Sequence, residues 1–531
     1  MRHRLTFEKK GRLDMLYPIG VQTFETIRER NYVYVDKTDL VYNLAQQHVC
    51  FLSRPRRFGK SLLISTLDAY FSGKKELFTG LAMEMLEKQW LKYPVFRIDF
   101  ASGDYRKENT LHNILDDSLT KWEKEYKIEK IYENYEIRFK NILEAAEKKT
   151  GHKAVVLIDE YDKPMLDVLG TEMEEENRNT LKGFYGTFKT ADANLRFVLL
   201  TGVTKFSQIS VFSGFNQPKD ISMDSRYDAI CGITEEELHE VFKIPIQEMA
   251  EKYGCSEEEM KLLLKKQYDG YHFSEQMLDI YNPFSVINAF DVKKIEDYWY
   301  RSGTPTYLVK LLEGHHINMQ KLTAQSYAAK YFVDYRADVE DSLAMLYQSG
   351  YLTIKGYDMR RRVYRLDYPN DEVKSGFVSL MANSYFRTKS SEHENWILQL
   401  DDMLRSCDLD GVRDAFTSFL ASIPYEANKD ERAKDFETHF SYTFYIINRL
   451  LGCYTTLLEK QNSKGRADII IETENDIFIF EFKLDKSAKE ALEQIDEMQY
   501  AVSYLNDYRK IHKIGVNISS KSRTVDEWIN I

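Results

Sequence analysis

The chain has few cysteines and no cysteine pair of the kind that holds zinc or builds a disulfide framework. Its five cysteines, among 531 residues, are scattered, and none belongs to a C-x-x-C motif. This usage argues against a zinc ribbon and against a small disulfide-stabilised fold. It is typical of a protein kept in a reducing compartment.

Long apolar runs and an excess of positive charge are missing as well. No run approaches the roughly 20 apolar residues of a membrane span, and residues 1–20 lack the apolar core of a signal peptide. The net charge is −11, which argues against a surface coated for nucleic acid but leaves room for a local basic groove. We expect a soluble cytoplasmic protein with roughly two to four domains at this length.

The sequence does contain a candidate phosphate-binding loop. An apolar run over residues 48–52 is followed by Gly59, Lys60 and Ser61, and then by a helical pattern that ends near Phe71. In such a loop the backbone N–H groups surround the phosphates. Lys60 would reach the β- and γ-phosphates, and the Ser61 hydroxyl would bind Mg²⁺.

The loop departs from the usual G-x-x-x-x-G-K-[ST] pattern because Arg54 stands at the first glycine position. We expect Arg54, Arg56 and Arg57 to add positive charge at the phosphates, although arginine lacks the conformational freedom that glycine gives a tight turn. On this segment alone, a basic turn that binds no nucleotide is an equally good interpretation.

Two further apolar runs end in polar residues that suit a nucleotide site. Residues 155–158 lead into Asp159 and Glu160, and residues 196–200 lead into Thr201. Polar groups at the carboxyl ends of buried parallel strands lie where ligands bind. Asp159 would hold Mg²⁺ through water, Glu160 would orient or deprotonate the attacking water, and Thr201 would contact the γ-phosphate or that water. The alternative for the two acids is a solvated helix cap after a strand.

A second candidate site lies near the C-terminus. Two strand-like runs, residues 467–471 and 477–482, would form an antiparallel hairpin with Asp468 opposite Glu481. Because alternate residues of a strand share a face, Glu481 and Lys483 point the same way. Two carboxylates can bind Mg²⁺, which activates water against a phosphodiester, and the lysine would position that water or stabilise phosphoryl charge.

The ordinary alternative is a surface hairpin in which an Asp and a Glu face each other and form a salt bridge to Lys483. Two facing acids repel each other in the absence of a cation. The metal-binding interpretation is therefore favoured.

Four segments together resemble the bacterial AAA-ATPase-like family: residues 54–61, 157–162, 201–206 and 281–285. In that family the loop with arginine at the first glycine position is the usual form. Its members commonly carry a C-terminal domain of the PD-(D/E)XK nuclease superfamily. The resemblance covers roughly residues 15–300 and the C-terminal unit, and it implies ATP and Mg²⁺ as cofactors.

The C-terminal acids resemble the PD-(D/E)XK pattern in the form D-x12-E-x-K. The superfamily often places a third metal-binding acid on the preceding helix, which implies Glu437. It also implies an accessory glutamine on the following helix, Gln494. Tyr500 lies six residues after Gln494, so the match to a Q-x-x-x-Y motif is incomplete.

The whole chain is predicted to be α/β. Apolar strands separated by helices predict a parallel sheet with helices on both faces. We expect a P-loop NTPase domain over residues 1–232, a helical lid-like domain over 233–330, and a possible winged-helix-like module over 331–390. A helical lead-in and a restriction-endonuclease-like α/β domain would occupy 391–531. The hairpin after residue 350 is equally consistent with a wing and with an ordinary hairpin packed on helices.

Two functions follow as hypotheses. In the first, the chain binds and hydrolyses ATP and cleaves nucleic acid, DNA in preference to RNA, with Mg²⁺. In the second, ATP binding switches a scaffold, for example a nucleotide-dependent homo-oligomer, whose nuclease-like fold binds nucleic acid or protein without cutting. Candidate nucleic-acid contacts are the arginines at 360–362 and the basic residues near the hairpin, namely Lys460, Lys464, Arg466 and Lys486.

Overall fold

The computed structural model divides the chain into two units. The first comprises Met1–Leu311 with Ile317–Val373, and the second comprises Leu312–His316 with Lys374–Ile531. The structure describes residues 15–206, 218–302, 319–333, 342–386, 390–422, 469–505 and 507–531, and isolated positions between 443 and 466. Among the helices in these ranges, none is both long enough and apolar enough to cross a membrane.

A five-stranded, all-parallel sheet forms the centre of the first unit, as the sequence predicts. Its order is β2-β3-β4-β1-β5. The strands are β1 Val49–Ser53, β2 Val95–Asp99, β3 Ala154–Asp159, β4 Leu195–Gly202 and β5 Lys219–Asp220. Strand β4 pairs with both β1 and β3, so the carboxyl ends of these three strands meet at one edge.

Helices cover this sheet because their apolar residues recur on one face. In helix Thr110–Tyr126, for example, Leu111, Leu115 and Leu119 are buried at four-residue spacing. The other helices packed around the sheet are Phe24–Glu29, Thr38–Ala45, Lys60–Phe71, Ala82–Leu86, Tyr135–Thr150, Lys163–Leu166, Met173–Tyr185 and Thr187–Thr190.

A helical region follows the sheet within the first unit. Thr234 begins it with a capping box, in which its side chain accepts from the Glu237 N–H and the Glu237 carboxylate accepts from the Thr234 N–H. Thr234 is therefore the N-cap of helix Glu235–Val241. The helices are Glu235–Val241, Lys243–Tyr253, Glu257–Tyr268, Pro283–Val292 and Tyr298–Arg301, and the two short strands β6 Ile233–Thr234 and β7 Ile280–Tyr281 pair between them.

A three-stranded sheet of order β8-β10-β9 includes the hairpin of the possible winged module. Helix Met319–Thr323 and strand β8 Ser326–Tyr327 lie before residue 331, where the module was expected to begin, whereas helix Ser342–Gln348 and strands β9 Thr353–Asp358 and β10 Val363–Asp367 lie within its expected bounds. The hairpin starts two residues later than predicted, because the Tyr351 and Leu352 N–H groups both bond to the Leu346 carbonyl. Strand β8 was not predicted because two residues carry no readable alternation.

The second unit contains a mixed sheet of order β13-β14-β15-β16. Its strands are β13 Ile469–Glu472, β14 Asp476–Leu484, β15 Lys510–Ser519 and β16 Thr524–Asn530, and a separate short pair is formed by β11 Gln461–Asn462 and β12 Gly465–Arg466. Strands β14 and β15 run parallel, whereas β13 and β16 run antiparallel to their neighbours. Helices of this part of the chain are Asp371–Phe386, Ser390–Arg405, Leu409–Ser422 and Ala488–Glu497.

Two features of the second unit differ from what its sequence indicates. The pattern of residues 487–505 predicts one helix, but the helix ends at Glu497, since Gln499 adopts a φ of 55° and a 3₁₀ turn, Tyr500–Tyr504, follows. Strand β16 was not predicted. Its residues are mostly exposed or half-buried, so the sequence lacks a continuous apolar run there.

Candidate functional site

The glycine-lysine-serine segment forms a tight loop between β1 and helix Lys60–Phe71. Gly59 adopts a φ of 96°, a left-handed conformation that glycine reaches without strain. The Lys60 side chain is 5% exposed, and its Nζ donates to the carbonyl oxygens of Arg54 at 2.9 Å and Pro55 at 3.1 Å. The lysine therefore lies inside the curve of the loop, where a phosphate group would meet it.

Arg54 does not add charge to this loop, contrary to the sequence-based expectation. Its side chain is 1% exposed and donates to the carbonyl oxygens of Ser222 at 2.8 Å and Tyr227 at 3.1 Å. The guanidinium lies 3.9 Å from the centroid of the Phe273 ring. Arg54 thus fastens the base of the loop to the rest of the first unit.

Asp159 ends β3 and is held by Thr201, near the end of the neighbouring β4. The Thr201 hydroxyl donates to Asp159 Oδ1 at 2.6 Å, and the Glu160 N–H donates to the same oxygen at 3.1 Å. The other oxygen, Oδ2, is buried without a hydrogen-bond partner among the described residues. A buried carboxylate oxygen left in this way costs free energy. A hydrated Mg²⁺ would satisfy it, so this residue fits the metal role expected of it together with Ser61.

Glu160 follows Asp159 with a φ of 50°. Burial raises the pKa of the Glu160 carboxyl, the nearby Lys60 opposes that shift, and the Asp159 charge adds to it. A carboxylate with a raised pKa is a better proton acceptor at neutral pH. The side chain also lines the cavity beside the loop.

Tyr161 and Asp162, for which the sequence predicts no role, both organise this edge of the sheet. Asp162 accepts from the N–H groups of Val203 at 2.9 Å and Thr204 at 2.6 Å. The Tyr161 hydroxyl donates to the Thr204 carbonyl at 2.8 Å. The pair fastens the loop after β4 to the end of β3, and burial raises the pKa of Asp162 to about 7.

A cavity of about 530 Å³ opens beside the loop, a size within the ordinary range of small-molecule sites. Residues 56–63 form one side of it. The opposite walls come from the N-terminal segment, residues 18–22 and 33–35, and from Phe284 and Ile287 of the helical region. No sequence motif marks these N-terminal residues as part of a site.

Arginines near the cavity differ in their positions. Arg57 is exposed at the loop, 5.0 Å from the centroid of the Phe284 ring. Arg226 is paired with Asp224, and Arg301 is paired with Glu296 at 2.8 Å. Neither Arg226 nor Arg301 lines the cavity.

The second candidate site lies on β14 of the second unit. Lys483 Nζ is 3.1 Å from Glu481 Oε1 and 2.5 Å from Gln494 Oε1, so the three side chains meet between the strand and helix Ala488–Glu497. Glu481 is 2% exposed. Phe480 and Phe482 face the other way, and both rings contact Phe416. The alternation predicted for this strand is present.

The remaining proposed metal ligands, Glu437 and Asp468, lie outside the described residues. The described ladder pairs Ile469 with Phe480, the residue before Glu481. Tyr500 is buried in the core beside helix Ala488–Glu497 rather than at the acids, in line with its poor fit to the Q-x-x-x-Y spacing.

A loop of this form at the end of β1, with an acid pair at the end of β3, defines a P-loop NTPase domain. The family described as "Predicted AAA-ATPase" matches residues 18–212, and the "PD-(D/E)XK nuclease superfamily" matches residues 435–528. The chain belongs to this family of AAA-ATPase-like proteins with a C-terminal nuclease-superfamily domain.

One curated relative extends along almost the whole chain. It is an uncharacterized protein in the vnfD 5′ region of Azotobacter chroococcum mcd 1, 36% identical over 516 residues, or 96% of this chain and 97% of the relative. Among solved structures, that of the Aeropyrum pernix ORC2 protein in ADPNP–ADP complexes is 13% identical. It covers 70% of this chain and 97% of its own, with a TM-score of 0.24.

Proposed function

We propose that the chain is an ATPase whose nucleotide cycle controls Mg²⁺-dependent cleavage of nucleic acid by its C-terminal domain. The observation that carries the ATPase half is the set of Lys60, Asp159 and Glu160 beside a cavity of about 530 Å³. The nuclease half is supported by Lys483 held between Glu481 and Gln494.

In the ATPase site, each residue has a separate role in phosphoryl transfer. Bound Mg²⁺ supplies charge neutralisation at the β- and γ-phosphates. Lys60 and the loop N–H groups bind the same phosphates, and Ser61 and Asp159 would hold the metal. Thr201 keeps Asp159 in one orientation through its hydroxyl. Glu160 orients the attacking water and accepts its proton at the carboxylate.

In the nuclease site, the protein would position one water molecule against one phosphodiester. Bound Mg²⁺ supplies a Lewis acid and lowers the pKa of that water. Glu481, with Asp468 and Glu437, would hold the metal. Gln494 accepts a hydrogen bond from Lys483 and so keeps the ammonium group beside Glu481, where it stabilises developing phosphoryl charge.

Paired substitutions at Lys60 and Glu160 test the ATPase half. We expect Lys60→Ala to lose nucleotide binding, and Glu160→Gln to keep binding while its kcat falls by about 100-fold or more, as for loss of a general base. Nucleotide binding is measured by calorimetry and hydrolysis by phosphate release. Arg226→Ala, whose side chain is exposed and paired with Asp224, is the matched control and should behave as wild type. Wild-type turnover in Lys60→Ala would refute the assignment.

The nuclease half is tested on single- and double-stranded DNA and RNA with Mg²⁺ and ATP. Asp468→Ala and Lys483→Ala should each abolish cleavage, whereas Lys489→Ala, an exposed lysine on the following helix, should not. We expect DNA to be cut in preference to RNA. If every substrate stays intact while ATP drives assembly in size-exclusion chromatography, the chain is instead a nucleotide-switched scaffold.

A further inference from the structure

Three elements of the second unit bring a thiol, an imidazole and a carboxylate to one point. Cys407 lies just beyond helix Ser390–Arg405, Asp476 begins β14, and His512 lies on β15. His512 Nε2 is 2.7 Å from Asp476 Oδ1 and 3.5 Å from Cys407 Sγ. One ligand atom from each of the three residues lies within 4.8 Å of the other two.

The arrangement places both neighbours on the same ring nitrogen. A single hydrogen at Nε2 points along one direction, so it cannot serve the carboxylate and the sulfur equally well. A cation in the same place would bond to all three atoms at once. The imidazole is also held in position, because its ring stacks on Phe478 at 4.9 Å with an interplanar angle of 14°.

We propose that Cys407, Asp476 and His512 form a divalent cation site for Zn²⁺, with one further coordination position for water. Thiolate and imidazole donors select Zn²⁺ over Mg²⁺, which prefers oxygen ligands. On binding, the Cys407 thiol releases its proton to solvent, Asp476 coordinates as the carboxylate, and His512 coordinates through Nε2 with its hydrogen on Nδ1. The sequence signal was weak because the three residues are far apart in the chain.

This site is separate from the proposed nuclease centre. Asp476 and Glu481 are five residues apart on β14, which corresponds to about 17 Å at about 3.4 Å per residue. The cation would instead join the end of helix Ser390–Arg405 to two central strands. Its binding free energy would therefore add to the stability of the second unit.

The test uses the full-length, reduced protein with Co²⁺ as a spectroscopic substitute for Zn²⁺, in an excess of Mg²⁺ that saturates oxygen-ligand sites. We expect one equivalent of Co²⁺ to produce a thiolate-to-cobalt charge-transfer band that one equivalent of Zn²⁺ removes. Cys407→Ser should abolish the band. Cys255→Ser is the matched control, since Cys255 is also a half-exposed free cysteine, and it should leave the band unchanged.

Zinc affinity, measured by competition with a chromophoric chelator, gives a second readout. We expect Cys407→Ser and Asp476→Asn each to weaken binding by more than about 100-fold, because even outer-sphere partners of a metal cost about 10- to 100-fold. Zn²⁺ should raise the melting temperature of wild type but not of Cys407→Ser. The proposal would be overturned if wild type lacks the charge-transfer band, or if Cys407→Ser binds zinc as tightly as wild type.

Discussion

Arg54 departs from the usual loop motif but stabilises the loop that the motif forms. The position usually belongs to glycine, but here its guanidinium is buried and bonds to the carbonyls of Ser222 and Tyr227. The phosphate-binding end of the loop, at Gly59 and Lys60, is left in ordinary geometry. The arginine is a structural anchor at the start of the loop.

Arg54→Gly, which restores the common motif, should therefore destabilise the protein without increasing ATPase activity. Removing the guanidinium takes a hydrogen-bond donor from the carbonyl oxygens of Ser53, Ser222 and Tyr227, at a cost on the order of 3 kcal/mol. Denaturant unfolding of the ATPase unit measures the change. Arg57→Ala, at an exposed position of the same loop, should lower nucleotide affinity and leave unfolding nearly unchanged. Equal stability of Arg54→Gly and wild type would contradict this role.

Asp162 makes the stability of the first unit depend on pH. Its pKa rises from about 4 in the unfolded chain to about 7 in the folded one, chiefly because of burial. Between those values the folded state binds more protons, so stability falls as pH increases from about 4 to about 7. Asp162→Asn keeps an oxygen acceptor for Val203 and Thr204 and cannot titrate.

We expect the melting temperature of Asp162→Asn to fall less than that of wild type across this pH range. At its limit, this difference in pKa between the folded and the unfolded chain corresponds to about 4 kcal/mol of stability. Differential scanning calorimetry in a pH series measures the difference between the two proteins. Asp117→Asn, at an exposed helix position, should follow the wild-type curve. Parallel curves for Asp162→Asn and wild type would rule out Asp162 as the source.

At the scale of elements, the β9–β10 hairpin is the clearest basic feature of the possible winged module. Its tip carries Arg360, Arg361 and Arg362, all exposed, next to Met359, which is 80% exposed. Three adjacent cations on a projecting hairpin suit contact with nucleic-acid phosphates.

Replacing the three tip arginines with alanine should weaken binding to double-stranded DNA. The slope of log Kobs against log salt concentration should shrink by about 0.9 for each phosphate that these arginines neutralise in the wild-type complex. Fluorescence anisotropy at several salt concentrations measures this slope. A charge-matched control replaces three exposed lysines of the first unit with alanine, namely Lys121, Lys124 and Lys148. If the tip variant and this control have equal slopes, the hairpin arginines make no specific contact with DNA phosphates.

At the scale of the whole molecule, the proposal requires the two units to work together. Lys60→Ala leaves Asp468, Glu481 and Lys483 in place, yet we expect it to change the rate of nucleic-acid cleavage. The reverse variant, Lys483→Ala, should keep basal ATPase activity. Cleavage is compared in ATP, in ADP and in a non-hydrolysable analogue. If wild type and Lys60→Ala cleave at the same rate with each of the three nucleotides, nuclease activity does not depend on the ATPase site.

Much of the molecule was predictable from local sequence. Continuous apolar runs such as residues 155–158 predict buried parallel strands, and alternation places Glu481 and Lys483 on one face of β14. Both signals are local because strand periodicity and turn residues act over a few positions. The ends of elements were less predictable, as the 3₁₀ turn after Glu497 illustrates.

The sequence by itself determined that a phosphate loop, an acid pair and a D-x12-E-x-K pattern exist, because each is written in neighbouring residues. Only the tertiary structure decided which distant residues join them. It placed the N-terminal segment at the cavity beside the loop, buried Arg54 against Phe273, and brought Cys407 to His512. These contacts depend on packing between segments far apart in the chain, and no local periodicity encodes such pairings.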